Sequence, residues 1–90
     1  MNQTKLLVGS LSNDLLRVAK LTHRGSHQAA SRFMTEAQHW GRQLADHQLQ
    51  PYIKKIVSNV VSSQKTASQV DTERYLMYSV LLQNYARRMR

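Results

Sequence analysis

Histidine and arginine carry most of the chemistry that this chain of 90 residues can offer, since it has no cysteine and only five acidic residues. Disulfides and thiolate metal sites are thereby excluded. His23 and His27 stand four apart in the stretch KLTHRGSHQAA. On one continuous helix that spacing would aim both imidazoles at a shared metal ion. Gly25 and Ser26 intervene, however, and such a pair closes one helix and opens the next. The stretch reads as a tight turn, and no metal is assigned to it. An anion fits it better. A helix N-terminus offers unpaired N–H groups and a positive dipole end, here flanked by His23, Arg24 and His27.

A second pair is Arg42 and His47, in RQLADH. Histidine can act as acid and base while arginine stabilises the charge that builds on a phosphorus centre. Over these six residues the chain resembles the arginine-then-histidine motif of HEPN-type helical nucleases. That resemblance implies a ribonuclease-like activity carried by Arg42 and His47. With four to six residues between the two, the pattern recurs at Arg17–His23 and Arg32–His39, so it selects no one pair. His47 also continues an apolar helix stripe, as a hydrogen-bonded core histidine does. No serine–histidine–acid set, carboxylate pair or phosphate loop is legible. The expectation is a protein that is not an enzyme and needs no cofactor.

Charge is the unusual bulk property. Thirteen Lys and Arg against five Asp and Glu give +8, with an isoelectric point near 10.5. Such a surface favours anionic partners. Arg17, Lys20 and Arg24 share a helix face, and Arg87, Arg88 and Arg90 crowd the C-terminus. Together with His23 and His27 they form the expected contact set for nucleic-acid phosphates or an acidic protein surface. No apolar run approaches the roughly 18 residues that a membrane span needs. The N-terminal stretch makes a poor signal peptide, so a cytoplasmic location is expected.

The elements that position these groups are helical. Apolar residues recur at spacings of three and four nearly throughout. The expected helices cover about 3–24, 27–49, 51–63 and 70–88, in one domain spanning 1–90. Leu7, Leu11, Leu15, Val18 and Leu21 stripe the first, with Ser12 as an alternative start. Phe33, Ala37, Trp40, Leu44 and His47 stripe the second. A further line of small residues there, Ala37, Gly41 and Ala45, lets another backbone come close. Pro51 suits the first turn of the third, short helix. Its β-branched residues Ile53, Ile56, Val57, Val60 and Val61 form helices weakly, so packing must hold it. Ser68 or Asp71 can cap the fourth. Short connectors at 25–26 and 50–51 make neighbours antiparallel, which yields a compact all-α four-helix bundle.

The fourth helix is apolar nearly all round. Such a helix is either central in its bundle or shared with a second copy. Tyr75, Leu76, Met77, Tyr78, Val80, Leu81, Leu82 and Tyr85 are the residues expected to carry self-association, as a homodimer. The main functional expectation is a small basic non-catalytic binder of nucleic acid. Its rival is a helical protein–protein adaptor that acts through the fourth helix. The tyrosines and Trp40 read as core rather than as stacking platforms. A helix-turn-helix ending in the fourth helix is disfavoured by its apolar run. A membrane-surface helix at 51–63 is no better supported than a bundle face.

Overall fold

In the computed structural model, which describes residues 2–63 and 71–89, the regular structure among the described residues is helical. Helix α1 spans Gln3–His23, α2 His27–Leu44, α3 Pro51–Ser62 and α4 Thr72–Arg88. The fold is the expected antiparallel four-helix bundle with a short third helix. Arg90 and the Ser68 cap lie outside the described residues.

Each helix boundary has a local cause. Asn2 caps α1, its side-chain oxygen accepting the Lys5 N–H at 3.2 Å. The helix then runs unbroken past Ser12, which is buried in its middle and does not start it. At the other end Gly25 takes a positive φ of 84°. The Ser26 N–H then donates to Leu21 O at 2.8 Å and the Gly25 N–H to Thr22 O at 3.0 Å. This pair of bonds satisfies the last carbonyls of α1 and reverses the chain. Ser26 occupies the N-cap of α2 as expected, but its hydroxyl makes no capping bond. Asp71 likewise precedes α4 without capping it; its carboxylate lies 3.8 Å from the Arg74 guanidinium instead. Pro51 opens α3.

Helix α2 ends at Leu44, five residues before the expected stop at 49. His47 therefore belongs to the connector, where Nδ1 lies 2.6 Å from Thr4 Oγ1 on α1. The stripe of α2 is also rotated from expectation. Ala30, Met34, Ala37, Gln38, Gly41 and Leu44 are buried, while Phe33 and Trp40 are half-buried at the edge. Both edge rings have polar work. The Arg17 guanidinium sits over Phe33, 5.1 Å from the ring centre, and the Trp40 indole N–H donates to Asp14 Oδ2 at 2.9 Å.

The central helix is α1, not α4. It packs along α2 on one side and α4 on the other. The α1–α4 contact is close because small residues meet there. Ser12 Oγ, fully buried, donates to the Ser79 carbonyl at 2.7 Å. Helix α3 lies on α2 over Gly41, where a Cβ would meet Val61 Cγ2 at 2.8 Å. The Gln38 amide of α2 donates to Ser63 O at 2.7 Å and Val60 O at 3.2 Å, closing the C-terminal end of α3. Packing and this side-chain cap hold a helix that its β-branched sequence would not sustain alone. Helices α3 and α4 touch through tyrosines. The Asn59 amide donates to the Tyr78 hydroxyl at 3.1 Å, and the Tyr52 and Tyr85 rings meet edge to face.

Helix α4 is thus peripheral, with one face in the core and one outside. Tyr75, Tyr78 and Leu82 are buried, and Leu81 and Tyr85 are partly buried. Only Leu76, Met77 and Val80 of the eight residues expected to mediate self-association are open, at 44%, 53% and 51% exposure. No helix of the described residues is long and apolar enough to cross a membrane.

Candidate nucleic-acid interface

The antiparallel arrangement sorts the charges between the two ends of the bundle. At one end lie the N-termini of α1 and α3 and the C-termini of α2 and α4. Lys5 comes from the first turns of α1, Arg42 from the last turn of α2, Lys54 and Lys55 from the start of α3, and Arg87 and Arg88 from the last turn of α4. All six side chains are exposed, and Asp46 in the connector is the one acid among them. At the other end lie Arg17, Lys20, Arg24, Arg32 and Arg74. Asp71 and Glu73 lie with them, and Asp14 and Glu36 stand near the middle of α1 and α2. Among the described residues the first end thus carries a net charge five units positive, and the rest of the bundle one.

The expected contact set is therefore split. Arg17, Lys20, His23, Arg24 and His27 are exposed around the α1–α2 turn. Arg87 and Arg88 sit toward the opposite end of α1, Arg87 beside Lys5 and Arg88 beside Tyr52. Along α1, at about 1.5 Å per residue, Lys5 is roughly 28 Å from Arg24 and roughly 18 Å from Arg17. They do not form one surface. Residues that the sequence reading missed, Lys5, Arg42, Lys54 and Lys55, complete the stronger cluster. Their signal was available. Each stands in a terminal helical turn, and an up-down-up-down order brings those turns together at one end.

Grooves run between the helices at this end. Lys5 and Arg87 line the one between α1 and α4, with Asn2, Asn13 and Gln83. Arg42 and Lys54 line the one between α2 and α3. Arg88 edges a third with Tyr52 and Tyr85. Tyr52 is 46% exposed, and the Tyr85 hydroxyl accepts the Gln50 N–H at 3.4 Å. An aromatic ring open to solvent among cations departs from the expectation that the tyrosines are core. The helix dipoles add positive ends at α1 and α3, while the cations on the last turns of α2 and α4 offset the negative ends.

The turn at His23–His27 has a different character. His23 closes α1 and His27 opens α2, so the two imidazoles are not on one helix face. Among the described residues no group of three metal-ligating side chains converges. Arg42 and His47 are likewise divided between a helix end and a connector, with the His47 ring held against Thr4. Among the described residues, Asp14 is the one group whose acidity is clearly perturbed. Burial pushes its carboxyl above the ordinary value, and the neighbouring Glu36 adds to this; the Trp40 hydrogen bond and Arg17 act against it.

No protein-family model, curated protein or solved structure matches the chain.

Proposed function

We propose that this protein is a non-catalytic binder of nucleic acid, held through phosphates at the α2–α3 end of the bundle. The observation that carries the reading is the segregation of charge: Lys5, Arg42, Lys54, Lys55, Arg87 and Arg88 share that end with the single acid Asp46. Side chains in grooves between helix ends can follow a flexible phosphate backbone, and such contacts position a strand without reading its sequence. Tyr52, exposed beside Arg88, offers a face on which an unpaired base could stack. The binding is weakly sequence-specific and strongly dependent on salt.

A titration of labelled generic RNA and DNA at two salt concentrations tests this. Wild type binds at low salt and weakens steeply at the higher one. Lys54→Glu with Arg88→Glu loses most of the affinity, whereas Lys20→Glu with Arg24→Glu loses little. No binding at low salt would remove the proposal. Equal losses from the two pairs would leave a binder without the assigned end.

The adaptor reading has its own observation, the exposed Leu76, Met77 and Val80 on the outer face of α4. Three adjacent open apolar side chains suit contact with another protein. These three side chains lie on α4 ahead of its basic last turn.

A further inference from the structure

The outer face of α4 carries a charge pattern that specifies what covers it. Val80 stands midway between Glu73, seven residues before it, and Arg87, seven residues after. A repeat of seven returns to the same side of a helix, and all three residues are exposed. Leu76 and Met77 lie on that side too, between Glu73 and Val80. Neither Glu73 nor Arg87 makes an ion pair with another described residue; the one ion pair on this helix joins Arg74 to Asp71.

We propose that the partner of this face is a second copy of the chain, docked antiparallel with a twofold axis through Val80. A twofold contact is self-complementary, so residues equally far from the axis on opposite sides face each other. Val80 then meets the partner's Val80. Glu73 meets the partner's Arg87, and Arg87 meets the partner's Glu73. Leu76 and Met77 cover the partner's segment beyond Val80, where Gln83 and Asn84 lie. The arrangement forms two opposite-charge pairs that flank a central valine contact, with Leu76 and Met77 lying over polar side chains between. A parallel dimer would instead set Glu73 against Glu73 and Arg87 against Arg87, so the charge order selects the direction of the seam as well as the partner. The high net positive charge opposes association of two copies. The seam itself is neutral, and it lies away from most of the excess. Three apolar side chains fall well short of the area of a standard stable interface, about 800 Å² per partner. The dimer is accordingly weak and dependent on concentration.

This rests on reading the α4 face as a protein-contact surface, and it shares Arg87 with the proposed nucleic-acid end. Sedimentation of the full chain at near-physiological salt tests it. Wild type forms dimers at high micromolar concentration. Glu73→Arg and Arg87→Glu each weaken dimerisation about tenfold, since every substitution turns two attractions into two repulsions. The Glu73→Arg/Arg87→Glu double variant recovers wild-type affinity within about threefold. That recovery also shows that the single variants did not simply unfold. Mixing the two single variants yields heterodimers, because one chain then offers two cations and the other two anions. A wild type that stays monomeric at high micromolar concentration overturns the proposal together with its premise of self-contact. A wild-type dimer that the two single substitutions leave unchanged overturns the antiparallel register alone, and the protein-contact surface stands.

Discussion

At the scale of single residues, the informative group is Asp14. It is buried on α1 and accepts the Trp40 indole N–H at 2.9 Å. Burial is the largest influence on it and raises its pKa above the ordinary 3.8. The folded chain therefore holds that proton to higher pH than the unfolded chain does. The cost of ionising Asp14 is absent below the unfolded value, grows as pH rises through the folded one, and is fully present above it. Asp14→Asn keeps an oxygen for Trp40 and removes the charge. Its melting temperature should exceed that of wild type at neutral pH, and the advantage should vanish on acidification below the usual carboxylate range. Trp40→Phe removes the donor instead and leaves a buried carboxylate short of a partner. Denaturant unfolding at neutral pH should show a loss of about 1–3 kcal/mol. The Asp14–Trp40 bond was not legible in the sequence. The two residues are 26 apart, and Trp40 looked like part of the core stripe of α2. Only the rotation of α2 on α1 turned its ring to the edge.

At the scale of elements, α3 depends most on its surroundings. Its Ile and Val residues have modest helix propensity, and its twelve residues are short for independent stability. The helix stands because Gly41 lets it approach α2 and because Gln38 satisfies its last carbonyls. Gly41→Leu should overfill that contact and cost about 2 kcal/mol or more, read as a lowered melting temperature. Gly41→Ala should lower stability by up to about 2 kcal/mol, since its methyl would meet the stiff Val61 Cγ2 at 2.8 Å and only about 1 kcal/mol of regained helix propensity offsets the overpacking. The role of Gly41 was legible, since it falls in a line of small residues at helical spacing. The end of α2 was not. Residues 45–49 continue an apolar rhythm without a glycine or proline, and the chain leaves the helix before Pro51 to swing back along the bundle.

At the scale of the whole molecule, the decisive property is where charge collects. Each half of the chain nets four positive charges, so neither half stands out in the sequence. Antiparallel packing interleaves the halves and leaves one end far more positive than the rest of the bundle. If the six cations of that end engage phosphates, a plot of log affinity against log salt should have a slope of about −4 to −5. The Lys54→Glu/Arg88→Glu variant should lower its magnitude by about 1.5, while Lys20→Glu/Arg24→Glu should leave it nearly unchanged. A slope near zero for wild type would mean that phosphates are not what this end holds.

Local order was written in the chain itself. Four helices, their antiparallel succession, the Gly25 turn and the Pro51 start follow from apolar spacing and turn chemistry, which act between residues a few positions apart. What needed the tertiary structure was every relation across helices. It showed that α1 lies at the centre, that α4 keeps Leu76, Met77 and Val80 outside, and that Arg24 and Arg87 sit at opposite ends. Helical periodicity states which side of a helix is apolar, but not which neighbour covers it. The cations of each terminal turn are visible in the sequence, but the net charge that an end collects depends on how distant segments are laid side by side.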